Sequence, residues 1–239
     1  MEENFVDFKC PYCGEMASFP ETAAGRVQKC PHCPESLLVP AEPSEFGGKL
    51  PASVATPRLQ LRRFQAADWK PLLELMSDEA LLKYVPWHPL EETEVERWIE
   101  HDREVRLMQE QDFFLGIELT AESQFIGLAA LHFRDENRQA GFTLIIHPKF
   151  QRQGFGLETC GGLLAFVFSG LNLHRVNVAC DSRNEAGRKM LDKAGLRREG
   201  EFVKESLVKG EWINHVWYAA LGEEYNAWPE ERKKGVLNL

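Results

Sequence analysis

The stretch His147-Pro148-Lys149-Phe150-Gln151-Arg152-Gln153-Gly154-Phe155-Gly156-Leu157-Glu158 decides how this chain is read. Before it, residues 140–147 form a short apolar run expected to be a buried strand. After it, Leu157, Cys160, Gly161, Leu164, Phe168 and Leu171 recur at helical spacing over 157–170. Between the two, Gly154 and Gly156 remove side chains, so successive backbone N–H groups can turn inward, and the helix N-terminus adds the positive end of its dipole. A loop of that build cradles a pyrophosphate. It is not the dinucleotide fingerprint G-x-G-x-x-G, and it lacks the Lys-Ser/Thr of a Walker loop.

Residues 175–180 read as a strand, so 140–147, 157–170 and 175–180 compose a βαβ unit with parallel strands and a right-handed crossover. Upstream, Leu59, Leu61 and Phe64 mark a strand and 66–85 a helix. A second helix over 91–110 carries Val95, Trp98, Ile99, Val105 and Met108 on one face, and strands are expected at 113–119 and 125–133. Downstream come a helix at 183–194 and strands near 199–208 and 212–221. Ser182 with Glu185 is expected to box the N-terminus of the 183–194 helix, leaving Asn184 to face a ligand.

The stretch 58–221 resembles a GCN5-related N-acetyltransferase, specifically the ribosomal-protein-alanine acetyltransferase type. Gln151, Arg152, Gln153, Gly154, Phe155 and Gly156 match that superfamily's Q/R-x-x-G-x-G/A signature, and 181–200 is similar to the subfamily's D-x-x-N-x-A-S-x-x-x-L-x-K-x-G-F-x-x-E-G stretch. Trp212 and Tyr218 suit its closing hairpin. The resemblance implies an α+β class and the acyl-CoA N-acyltransferase fold: a mixed, mostly antiparallel sheet with a splayed parallel pair and helices on both faces. It also implies acetyl-CoA as co-substrate, lying in the gap between strands 140–147 and 175–180. The backbone of Ile145, Ile146 and His147 would pair with the pantetheine arm, the loop Gln151–Gly156 would hold the pyrophosphate, and Asn184 would hydrogen-bond the pantetheine.

The implied chemistry is direct attack of an amine on the thioester, which needs a neutral amine, a polarised carbonyl and a proton for the thiolate. Several expected side chains are replaced. Gly141 stands where many relatives carry a glutamate, Gly187 where a serine assists the thiolate, Leu191 where others have a tyrosine acid, and Ser206 where the hairpin base falls. The polar candidates left are Glu118, His132, Glu205, Ser206, Asn214 and His215, with His132 and Glu205 taken as catalytic. An α-amine is roughly 15% neutral at pH 7 and a lysine under ~0.1%, so a weak base favours a protein N-terminus or a low-pKa small amine. Trp87, beside Pro89, is expected to pack rather than wall the acceptor groove, and Cys160 and Cys180 read as core.

The first 33 residues hold four of the six cysteines. Cys10-Pro11-Tyr12-Cys13 and Cys30-Pro31-His32-Cys33 are two C-x-x-C pairs with residues 14–29 between them, the spacing of two knuckles that close a structural zinc site of four thiolates. Two disulfides are the competing reading, and the absence of a signal-like N-terminus weighs against it. Residues 1–40 are thus expected to be a zinc ribbon with Gly25 in its hairpin and His32 a bystander. A segment that short needs the ion's binding energy to fold. Residues 41–56, rich in Pro and Gly, read as a linker, 57–222 as the acetyltransferase domain, and 223–239 as a solvated tail.

Net charge is −9, from 37 acidic and 28 basic residues, and residues 1–40 carry six acids against three bases. Nucleic acid is therefore a poor partner, and the ribbon is expected to dock protein. No apolar run approaches the roughly 18–20 residues needed to span a bilayer, so a cytoplasmic location without membrane contact is expected. The acceptor is an amine, expected to be a ribosomal or other protein N-terminus. A small amine such as an antibiotic or polyamine is the alternative, as is a degenerate module that binds CoA without turnover.

Overall fold

A computed structural model describes residues 5–24, 26–40, 48–49, 53–102, 112–134 and 138–237. Gly25, Val105 and Met108, named above, lie outside them, as does most of the 41–56 stretch. The N-terminal part consists of β1 (Phe5–Lys9) paired with β2 (Met16–Pro20), then β3 (Val27–Lys29), β4 (Ser36–Leu38) and β5 (Gly48–Lys49) in a second small sheet. Each C-x-x-C pair occupies the turn after a strand. Cys10 N–H donates to Glu15 O at 2.8 Å in the first, and Cys30 N–H to Glu35 O at 3.0 Å in the second.

Eight strands follow in one sheet: β6 (Ser53–Ala55), β7 (Leu59–Arg62), β8 (Asp112–Leu119), β9 (Gln124–Arg134), β10 (Gln139–Ile146), β11 (Arg175–Asp181), β12 (Arg197–Val208) and β13 (Glu211–Leu221). Their order is β12-β13-β11-β10-β9-β8-β7-β6. Every neighbouring pair is antiparallel except β10 and β11, the pair joined by the crossover helix. That parallel pair registers only Gln139 with Arg175 and Ala140 with Val176, after which the two strands part.

Helices cover both faces. On one, α1 (Trp69–Met76) and α2 (Glu92–Asp102) bury Leu72, Leu75, Met76, Val95, Trp98 and Ile99 against Leu128, Ala130 and Ile145. On the other, α3 (Phe155–Ala165) and α4 (Glu185–Lys193) cover the alternate residues of the same strands, among them Leu131, Phe142, Val176, Val178 and Val216. Nearly all of α3 is buried, the pattern of a helix enclosed on every side. It ends in a wider π turn over Phe166–Gly170.

Three expectations give way here. The helix expected over 66–85 stops at Met76, because Asp78 Oδ1 accepts the Ala80 N–H at 2.9 Å and diverts the chain into a 3₁₀ turn at Leu82–Tyr84. The stretch 41–56 holds two strands: Gly48–Lys49 pairs with β4, and Ser53–Ala55 with β7. The tail is helical, with α5 (Gly222–Ala227) and α6 (Glu230–Leu237). Tyr225 of α5 is buried 5.1 Å from the Phe168 ring, and α6 lies along α3.

Candidate functional site

The site begins where β10 and β11 separate. Gly141 is the first β10 residue past the last parallel pair, and a Cβ there would stand 2.8 Å from the Asn177 carbonyl of β11. Asn177 Oδ1 is buried at the same point without a hydrogen-bond partner among the described residues. A gap thus opens at its root on an unanswered acceptor, the kind of atom a ligand N–H would satisfy.

Antiparallel pairing turns alternate residues of β10 toward β9 and toward the gap. His147 N–H donates to Ile126 O at 2.9 Å, and the Ile145 carbonyl lies against Gly127, so both residues face β9. Leu144 and Ile146 therefore present their backbone groups to the gap. Of the expected trio Ile145, Ile146 and His147, only Ile146 turns its backbone to the gap, and Leu144, which sequence reasoning did not name, turns there with it. Part of the Ile146 edge is already used, since Gln151 Nε2 donates to Ile146 O at 2.8 Å.

The loop after β10 is built from its own side chains. Gln153 Nε2 donates to Lys149 O at 2.9 Å, and His147 Nδ1 accepts the Lys149 N–H at 3.3 Å, which leaves the His147 Nε2 hydrogen pointing to Glu74 of α1 at 3.3 Å. Arg152 and Gly154 adopt left-handed φ values of 61° and 85°, and Gly154 caps α3. Changes of backbone hand within a tight loop aim consecutive N–H groups into one concavity. Asn184 departs from expectation. It is itself the cap of α4, its Oδ1 accepting the Gly187 N–H at 2.9 Å, while Asp181 Oδ1 takes the Arg183 N–H at 2.9 Å and builds the turn that brings it there. Ser182 does not cap the helix, and Asn184 keeps its amide N–H groups and one Oδ1 lone pair for a ligand.

Strand alternation puts His132 and His215 on the α1–α2 face of the sheet, on opposite sides of the gap, and turns Asn214 to the other face. On the β9–β10 side, His132 Nε2 lies 3.0 Å from Thr143 Oγ1. On the β11–β13 side, Asp181 stands opposite His215, and His215 Nδ1 lies 2.8 Å from Glu205 Oε2, which Trp217 Nε1 also approaches at 3.4 Å. Burial opposes ionisation of Asp181, but Arg183 grips both its oxygens and holds the carboxyl below its ordinary range. Arg183 also binds Glu211 at 2.8 Å. At the hairpin tip, Lys209 Nζ donates to Leu82 O at 2.7 Å, bridging β12–β13 to the helical layer, and loss of solvent there lowers its pKa.

A family model for the acetyltransferase (GNAT) domain matches residues 58–197. The chain belongs to the GNAT acetyltransferase family. Like other GNAT proteins it is an acetyl-CoA-dependent N-acetyltransferase. It is similar to the uncharacterised N-acetyltransferase YnaD of Bacillus subtilis (strain 168), with 28% identity over 72% of this chain and 99% of that one. It is also similar to the spermidine N(1)-acetyltransferase of Escherichia coli (strain K12), with 24% identity over 71% of this chain and 89% of that one. Among solved structures, a GNAT-family acetyltransferase from Bacillus anthracis superposes with a TM-score of 0.65 at 25% identity, covering 72% of this chain and 99% of that one.

Within this GNAT frame several sequence candidates prove structural. Glu118 is held by Arg62 at 2.6 Å, and Arg62 also binds Asp68 at 2.7 Å. Trp87 is buried edge-on against Trp98, so it packs as expected. Burial raises the Cys160 pKa and pushes the Cys180 thiol up to about 11, which makes both inert core residues.

Ahead of the GNAT match, the four N-terminal cysteines converge. Their sulfur atoms all lie within 4.8 Å of one another, with Cys10 and Cys33 3.7 Å apart and Cys13 and Cys30 3.8 Å apart. None is in a disulfide. His32 stays outside the sulfur group, its Nε2 meeting Met16 O at 2.8 Å and its backbone N–H reaching Cys30 Sγ at 3.4 Å. Four sulfurs so arranged, with N–H support, could hold a tetrahedral metal ion.

Proposed function

We propose that the chain acetylates a protein N-terminal α-amine of the ribosomal-protein type, and that its cysteine module is a structural zinc ribbon that docks the acceptor protein. The pyrophosphate sits on the N–H groups of residues 152–156, and the pantetheine arm extends the sheet along Leu144 and Ile146. With its Nδ1 hydrogen committed to Glu205, neutral His215 carries a lone pair on Nε2. The C–N bond forms as the thioester C–S bond breaks, the amine's proton passes to His215, and CoA leaves as the thiolate. Glu205 thus orients the base instead of acting as one, and His132, tied to Thr143, forms the opposite wall.

The observation that supports the acceptor assignment is the Glu205–His215 pair beside the gap. Asp181 and Glu211 share Arg183, and Glu205 holds His215. A neutral imidazole oriented by a carboxylate is a weak base, which suits a single α-amine. The E. coli spermidine relative favours the second reading, a polyamine acceptor. For the cysteine module, a zinc ion about 2.3 Å from each thiolate sets tetrahedral sulfurs ~3.8 Å apart, which matches the two short contacts.

The test is CoA-thiol release from acetyl-CoA with peptides bearing free or blocked N-termini, lysine peptides, spermidine and aminoglycosides. Turnover is expected with free N-termini and to be lost on blocking. Faster turnover of spermidine or an aminoglycoside overturns the acceptor assignment.

A further inference from the structure

The CoA loop is fastened from outside by a segment far away in sequence. Glu158, in the first turn of α3, is fully buried, and both its oxygens are engaged. Its Oε1 accepts from Thr56 Oγ1 at 2.6 Å and from the Arg58 N–H at 2.7 Å, and its Oε2 accepts from Arg58 Nε at 2.6 Å. The same guanidinium reaches into the loop. Nη1 donates to the Gln153 carbonyl at 3.2 Å, and the group lies 4.5 Å from the centre of the Phe155 ring. Thr56 Oγ1 meanwhile accepts the Leu59 N–H at 3.0 Å and closes the turn between β6 and β7.

We infer that Arg58 is a positioning residue for the pyrophosphate: through Glu158 and Gln153 it sets the direction of the N–H groups that receive it. The inference rests on the reading that places the pyrophosphate on residues 152–156. A peptide unit is planar, with its C=O and N–H pointing opposite ways. Holding the Gln153 carbonyl outward therefore aims the Gly154 N–H inward, and the stacked Phe155 ring limits rotation of the next unit. Arg58 has a second effect, since a bare carboxylate one turn behind a pyrophosphate would repel it. The arginine cancels that charge. The brace belongs to the strand pair that joins the cysteine module to the sheet, so the route between the two parts runs past the cofactor loop.

The experiment compares dissociation constants for CoA and for pantetheine, which lacks the pyrophosphate, by calorimetry on the full chain. The CoA-to-pantetheine preference is expected to fall about tenfold in Arg58→Ala, the equivalent of one charge-assisted hydrogen bond. Arg58→Lys keeps the charge beside Glu158 but lacks the fork needed to reach Gln153 as well, so a smaller fall is expected. It carries the test if Arg58→Ala fails to fold, as judged by thermal unfolding. Gly154→Ala, which disturbs a left-handed residue of the loop itself, must also lower the preference. An unchanged preference in the Arg58 variants beside a reduced one in Gly154→Ala overturns the brace alone. An unchanged preference in Gly154→Ala overturns the pyrophosphate placement and the brace with it.

Discussion

Residues 5–39 and 53–221 hold themselves together by different means. The first segment buries Phe8, Ala17, Ala23, Leu37 and Val39 around four cysteines, a core too small to fold a module of that length unaided. The second packs an eight-stranded sheet between two helical layers, each with its own apolar cluster. On the proposed zinc reading, the small module concentrates its folding energy in one ion that chelation can remove. The large one spreads it over many contacts and can spend polar residues on a gap. The contrast teaches where each part is fragile, and each forecast below is a way of breaking or sharpening it.

The largest effect is expected from metal removal. Chelation, or Cys30→Ser, should unfold the ribbon, since a structural zinc supplies on the order of 10 kcal/mol in modules of this kind. Limited proteolysis near residues 5–40, with zinc release followed by a chelating dye, reads the outcome. A ribbon that resists proteolysis without metal would erase the contrast. Next, Leu164→Ala in the buried face of α3 should cost about 2–5 kcal/mol of sheet-domain stability while the ribbon keeps its zinc. Parallel loss of zinc would show that Val27, the N-terminal residue packed into the same cluster as Leu164, couples the two parts.

His215→Gln should lower kcat about a hundredfold, the lower range for losing a general base, with the melting temperature and zinc content held. A loss confined to KM would remove His215 from the proton path. Asp181→Asn is expected to cost about 2 kcal/mol at pH 7, because charge-assisted bonds from Arg183 are lost. The folded-state pKa of Asp181 lies below its ordinary value, so its contribution is complete above the ordinary aspartate range and fades as the pH falls through the folded pKa. Denaturant titrations of the two proteins should therefore converge in acid; a gap that widens there would refute the assignment. The smallest effect belongs to Trp212→Ala. Its side chain is largely exposed on β13, and the stability change should stay within about 0.5 kcal/mol.

Much of this was legible in the chain because it depends on local pattern. Gly154 and Gly156 at a strand-to-helix junction announced the loop, and paired C-x-x-C motifs announced the sulfur cluster. What stayed hidden depends on register or on competition between neighbours. Leu144, not Ile145, faces the gap, a fact set by which β9 residue pairs with which β10 residue. Asn184 competes with Ser182 for the α4 cap and wins through a turn that Asp181 fixes. The pairing of Glu205 with His215 crosses strands at an irregular register, where the bulge between Phe202 and Ser206 interrupts simple alternation. The charge-rich run Glu230–Lys234 suggested a frayed end, yet Tyr225, Trp228 and the α3 surface give it a seat.

Gly141 carries a consequence for anyone redesigning the protein. A side chain there would meet the Asn177 carbonyl, so no single substitution can place a carboxylate at that position without prising β10 from β11. A descendant or an engineered variant that needs a stronger base must recruit it from the β12–β13 hairpin, where Glu205 and His215 already stand. Improvement of this enzyme would then run through its last two strands, leaving the root of the gap closed to revision.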